Sequence, residues 1–190
     1  MNGKFNKRIF TSRIFFKDVG FLIRKLPRII KVLRKKQISK DFIEKIMVVV
    51  TAINGCTYCT WFHAKQAASS GISEEEVKNM LNLQFKADAS DFEVSALLYA
   101  QHYAETNRKP DDEMTAQFLD YYGEKTAEDI VLFIRMIYFG NLFGNTCDAV
   151  ISRFKGNPAE NSSLLFELFF FLLTVWFMGF MTVMVKEANK

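Results

Sequence analysis

Proline and glycine are scarce in this chain. Three prolines and nine glycines in 190 residues leave few points at which a helix is forced to stop, because proline removes a backbone donor and glycine disfavours helix interiors. Cysteine is scarcer than a disulfide framework requires: three thiols, Cys56, Cys59 and Cys147, cannot staple a small secreted fold. Only two histidines are present, His63 and His102. A glycine-rich phosphate loop, a low-complexity linker and a short-period repeat are all missing, which excludes P-loop nucleotide chemistry and solenoid architectures. The opening "MNGKFNKRIF" lacks the apolar run and small-residue cleavage site of a secretory signal, so a cytoplasmic location is expected.

Acid is the other absence, and it is local. Residues 1–40 hold thirteen bases and the single acid Asp18, leaving twelve bases and twenty acids for residues 41–190. The first forty residues therefore carry +12 and the remainder −8. A basic segment of this kind fits an anionic surface. Phe15, Val19, Leu22, Leu26, Ile29, Ile30 and Leu33 recur at three- and four-residue steps, which predicts an amphipathic helix with Arg24, Arg28, Lys31 and Lys35 on another face. Pro27 predicts a kink or two shorter helices. Because the bases share this helix with Phe, Ile and Leu, nucleic-acid binding is not expected.

Helical periodicity continues through the chain. Asp41 is placed as the cap of a helix running to about Ala52, "NG" at 54–55 as its break, and a new helix as the carrier of the cysteines. Gly71 is expected to end that helix, and "SEEE" at 73–76 reads as a capping box, Ser73 with Glu76. Further helices are predicted over 91–107, 111–122, 126–154 and from about Ser163 to the C-terminus. No segment alternates for long enough to build a sheet, so the fold class is all-α.

The chemistry concentrates in "NGCTYCTWFH", residues 54–63. On a helix Cys56, Cys59 and His63 fall at i, i+3 and i+7 and share a face. The helix N-terminus favours a thiolate, which points to Cys56 as the more acidic thiol. Two thiols beside a local base are what a dithiol reductase or peroxidase requires. A zinc site needs a fourth ligand, and the remaining candidates, Cys147 and His102, belong to no second ligand pair. Two buried helix cysteines with a satisfied histidine are a structural alternative. His102 and Cys147 read as ordinary helix residues, and Asn141 and Asn145 as helix-packing contacts. No metal and no cofactor is expected.

Glu44 stands twelve positions before Cys56. The run "EKIMVVVTAINGCTYCTWFH" thus reads Glu-x11-Cys-x2-Cys-x3-His and resembles the carboxymuconolactone decarboxylase-like, alkylhydroperoxidase-D-like family over about 40–85, and more weakly over 125–155. The resemblance implies an alkylhydroperoxidase-D-like helical bundle over 41–158. To this the chain adds an N-terminal basic amphipathic arm at 1–40 and a hydrophobic C-terminal helix at 159–190. It also implies homo-oligomers, trimers or hexamers. For function it implies a thiol-dependent antioxidant enzyme reducing a peroxide or disulfide substrate at the expense of a dithiol electron donor. It would make Cys59 the attacking thiol, Cys56 the resolving thiol, and Glu44 with His63 the proton relay, in conflict with the helix-terminus argument for Cys56. Tyr58 occupies a position where alkylhydroperoxidase-D proteins often carry a histidine. A non-catalytic, membrane-associated helical protein retaining the motif is the alternative function.

The C-terminal run is the last signal. Leu168–Val185 has eighteen residues without a charge, and extension to Leu164 adds only Glu167. At about 1.5 Å per residue such a helix is roughly 27–33 Å long, near the thickness of a bilayer core. It must be buried in something, a membrane or an oligomer. Membrane association through this helix is expected, although Trp176 falls in mid-span, where an interfacial aromatic would not.

Overall fold

The computed structural model describes residues 5–35, 37–85, 89–160 and 162–188. Residues 1–4 of the arm and 189–190 of the C-terminal segment lie outside these. Among the described residues there are seven helices and no strand: α1 (Ser12–Lys35), α2 (Lys40–Asn54), α3 (Thr57–Ser69), α4 (Glu74–Leu81), α5 (Asp91–Glu105), α6 (Asp112–Phe154) and α7 (Leu164–Ala188). The all-α expectation is met, and the β-branched run Val48–Thr51 is helical.

That run sits in the middle of the core. Every residue of α2 from Phe42 to Thr51 is buried, because α3, α4, α5 and α6 all pack around it. A helix surrounded on all sides needs no polar face. Its one buried cation, Lys45, is held by Glu76 of α4 at 2.8 Å and Glu93 of α5 at 3.2 Å, so one ammonium ties three helices together. Burial alone would push the Lys45 ammonium's pKa down; the two carboxylates outweigh it and leave it raised.

Several local assignments need correction. The cap of α2 is Ser39, whose hydroxyl accepts from the Phe42 N–H, while Asp41 lies within the first turn. Ser73 does cap α4 through the Glu76 N–H at 3.2 Å, but the Glu76 carboxylate is taken by Lys45. The reciprocal capping box occurs instead at Ser90 and Glu93, at the start of α5. The break expected between 111–122 and 126–154 is present, by contrast: α6 is two helical segments that meet in a kink at Gly123 (φ 71, ψ 152), a conformation that suits glycine. Pro27 does not divide α1 into two helices. Ile29 and Val32 are buried beyond it, and Arg28 is clamped to Glu128 and Asp129 of α6, which holds the second half against the core.

The length and apolar composition of α6 would let it cross a membrane, but 67% of its apolar stretch is buried inside the protein. It is the second core helix. α7 packs on α6 and reaches α3. Phe166, Glu167, Phe170 and Thr174 face inward, and Glu167 pairs with Arg153 of α6. Phe15 of α1 meets Phe166 and Phe170 at centroid distances of 5.8 Å each, which joins α1 to α7 beside α6. The C-terminal helix is thus not apolar all round in its setting: one stripe is packed, the other open.

Candidate active site

The site begins at the turn between α2 and α3. Gly55 adopts a left-handed conformation (φ 64, ψ 32) and its N–H returns to the Thr51 carbonyl, ending α2 as a glycine at that position does. The chain turns at once, and Cys56 becomes the N-cap of α3, in extended conformation. Its sulfur accepts the Cys59 N–H at 3.3 Å. Cys56 is therefore not the first helical residue but the cap that precedes it. It is fully buried, whereas Cys59, one turn on, is partly exposed. Both thiols are free.

α6 forms the wall behind them, and Gly144 is the point of contact. A Cβ built at Gly144 would lie 2.6 Å from Cys56 Sγ and 3.9 Å from Cys59 Sγ. The registry of α6 against α2 is set by three asparagines. Asn141 donates to Thr51 Oγ1 at 2.9 Å and accepts from Asn54 at 3.1 Å; Asn145 donates to the Asn54 carbonyl at 2.9 Å. All three are buried. They are packing contacts, as expected, and the Asn141 amide also favours the ionised form of Cys59.

The two thiols are electrostatically unequal. The Cys59 pKa is lowered, first by the hydrogen bond from Cys56, against the opposing effect of burial, with further help from Asn141. That same hydrogen bond, with burial, drives Cys56 upward. Of the two, ionisation is favoured at Cys59 and disfavoured at Cys56, the direction opposite to the helix-terminus argument. The Cys56 N-cap sulfur accepts only one backbone N–H, while a dry setting disfavours its charge.

His63 lies one turn beyond Cys59 on the same face of α3, and its Nδ1 is 2.8 Å from Glu44 Oε2 of α2. Glu44 is 8% exposed, so its one strong partner matters. An ionised Glu44 fixes the proton on Nδ1 and leaves Nε2 free to take or give one. Phe62 closes edge-on against the imidazole at 5.1 Å. The four motif residues thus form two contacting pairs, Cys56–Cys59 and Glu44–His63, carried by neighbouring helices.

Around them stand groups that sequence reasoning did not assign to the site. Asp148 of α6 raises both thiol pKa values by its charge and is neutralised by Lys7 at 2.7 Å. Lys7 also reaches Thr57 Oγ1 at 3.3 Å. Tyr58 hydrogen-bonds Asp148 and is pushed up to about 12 by burial and that charge, so it supplies no base in place of a histidine. Cys147 is buried, and burial first, then Asp148, push it up to about 12. His102 sits apart from the site, 2.7 Å from Asp111 at the start of α6.

An all-α protein with a dithiol capping one helix, and a carboxylate–imidazole pair bridging it to the next, is thereby defined. Residues 29–102, which contain Glu44, Cys56, Cys59 and His63, match the model of the Carboxymuconolactone decarboxylase family. No curated protein and no solved structure matches the chain.

Proposed function

We propose that the protein is a thiol oxidoreductase that reduces a hydroperoxide, with Cys59 as the attacking thiol. One observation carries the reading: the partly exposed Cys59 lies one turn from a second, fully buried thiol, whose sulfur accepts the Cys59 N–H, and of the two it is Cys59 whose ionisation is favoured. The matching family includes decarboxylases and alkylhydroperoxidase-D-like peroxidases; the dithiol favours the second.

The Cys59 thiolate attacks the terminal peroxide oxygen. The O–O bond breaks, the leaving alkoxide takes a proton from His63, and Cys59 becomes a sulfenic acid. Cys56, giving its proton to the imidazole, attacks the Cys59 sulfur; the sulfenic oxygen leaves as water with a proton returned by the same relay, and a Cys56–Cys59 disulfide forms. An external dithiol reduces that disulfide and leaves as its own disulfide. A disulfide substrate would enter at the same thiolate by exchange. Glu44 holds the imidazole tautomer throughout.

The protein acts in the cytoplasm as a homo-oligomer, a trimer or hexamer, held at a membrane through α7. Leu165, Leu172 and Trp176 of that helix are 79%, 68% and 74% exposed, which supports contact with a further apolar phase. Peroxide-dependent thiol loss on reduced protein tests the chemistry. Mass spectrometry should find two hydrogens lost from one peptide containing Cys56 and Cys59. Free thiols after exposure to peroxide would leave the non-catalytic reading in place. Light scattering in mild detergent should give three subunits or a multiple.

A further inference from the structure

The open stripes of α1 and α7 meet at Phe16 and Phe169. On α1, Phe16, Ile23, Leu26 and Leu33 are 59%, 66%, 51% and 50% exposed. Phe16, Ile23 and Ile30 repeat every seven residues, as do Leu26 and Leu33, so they form a single stripe along the helix. At one end Phe16 meets Phe169 of α7, with centroids 5.9 Å apart. From there the surface continues along α7 through Leu168, Leu172 and Trp176, all exposed. Together the two stripes expose a run of large apolar side chains of the kind that marks an interaction surface.

The exposed charges of α1 itself are all basic. Arg13, Lys17, Arg24 and Lys31 recur at four- and seven-residue steps along the flank next to the α1 stripe, and all are exposed. None of the four forms an ion pair among the described residues. The only acid of α1, Asp18, is buried and paired with Arg108 at 2.5 Å, so it offsets nothing at the surface. Two copies meeting across this face would bring like charges together. An anionic bilayer meets both halves of the pattern: apolar side chains enter the acyl boundary and bases stay with the headgroups. Trp176, awkward in the middle of a spanning helix, fits a helix lying in the interface.

We infer that α1 and α7 together dock the protein flat on an anionic lipid surface, with α1 supplying the charge recognition. This rests on the membrane location proposed above and specifies its mode: an interfacial face of two helices, selective for negative headgroups, rather than a spanning anchor.

Vesicle co-sedimentation of the full-length protein tests it, with phosphatidylcholine alone against equal parts phosphatidylcholine and phosphatidylglycerol. Binding should require the anionic lipid, weaken in about 1 M salt, where the screening length falls to roughly 3 Å, and drop about tenfold or more in the Arg24→Glu/Lys31→Glu variant. In a Trp61→Phe background, Trp176 emission should shift to the blue on anionic vesicles. Ile23→Asp, at an exposed position, should weaken binding without changing peroxide-dependent thiol loss in solution. Equal binding to both vesicle types, unaffected by the charge reversals, would overturn the inference while leaving a membrane anchor in α7 intact. Binding to neither vesicle would overturn both. Dissociation of an oligomer by Ile23→Asp, with no vesicle binding, would assign the face to a second copy of the chain.

Discussion

Gly144 of α6 touches Cys56 so closely that a Cβ at 144 would sit 2.6 Å from the Cys56 sulfur. The contact lets a core helix back directly onto the buried thiol without a side chain between them. Gly144→Ala must displace either the sulfur or the helix, and the sulfur is the end of a short side chain already fixed by the Cys59 N–H. Overpacking of this kind costs about 1–3 kcal/mol. We expect a lowered melting temperature and, more tellingly, a slower formation of the Cys56–Cys59 disulfide from the sulfenic acid. Unchanged resolving kinetics would show that the glycine serves packing alone.

The order of the two thiols can be read directly. Cys56→Ser should still accumulate a sulfenic acid at Cys59, trapped by a dimedone-type reagent, whereas Cys59→Ser should form none. Alkylation of reduced protein should follow a thiolate titrating below the ordinary cysteine value of about 8.5, because its pKa is lowered. Asn141→Ala, which removes an amide that favours the Cys59 anion, should move the alkylation midpoint up. If Cys56 alkylates first, the assignment of roles is inverted.

The same shifts set a pH dependence of stability. Below the unfolded thiol value of about 8.5, the unfolded chain holds a proton at Cys59 that the folded chain has lost, so stability rises with pH through that window. Above it, the unfolded chain loses the Cys56 proton while the folded chain retains it, and stability falls. The reduced protein should therefore show a maximum near the free-thiol pKa. Oxidation to the disulfide removes these two titrations and should abolish the rise below the free-thiol value, while Cys147, held up to about 12 in the fold, keeps a smaller fall above it. Thermal melts of the two forms across that value make the comparison, and parallel curves would contradict it.

Glu44→Gln keeps a hydrogen-bond acceptor for His63 but removes the charge that fixes its tautomer. The contact is short, 2.8 Å, and nearly dry, so fold stability should change little while peroxide turnover near neutral pH falls by about 10²-fold, the scale of a single acid–base contribution. His63→Ala should lose as much, and the double variant no more than either alone, since the pair acts as a unit.

The motif was legible because it is local: Glu44, Cys56, Cys59 and His63 span twenty residues, and the helix period alone puts the last three on one face. The helical class was legible for the same reason. What supports the site was not. Asn54, Asn141 and Gly144 lie some ninety positions apart in the chain, and only packing of α2 on α6 brings them together. Asn141 and Asn145 stood out as polar residues on an apolar helix, which signals a buried partner without naming it. The capping errors share one cause: Glu76 and Ser39 each had two local roles open, and the tertiary partner Lys45, or the register of the turn, chose between them. A helix N-terminus argues for a thiolate at Cys56 only if the sulfur stays wet, and its full burial, which requires the tertiary fold, opposes that argument.

The C-terminal helix calls for a test that respects its packing. Deletion of residues 164–190 would strip Phe166 and Phe170 from the core, each burial worth about 1.5–3 kcal/mol, and would leave Arg153 without Glu167. Such a truncation is expected to aggregate whatever α7 contacts, so it cannot separate anchor from core. The open stripe can be changed alone. Leu165→Gln, Leu172→Gln and Trp176→Gln alter side chains that are 79%, 68% and 74% exposed and leave the packed stripe of Phe166, Phe170 and Thr174 in place. The combined variant should keep its thermal transition and its peroxide-dependent thiol loss, yet pass from the membrane fraction to the soluble fraction when cells are separated without detergent. Retention in the membrane fraction would place the anchor elsewhere. A loss of oligomer mass at unchanged fractionation would instead assign the stripe to contacts between copies.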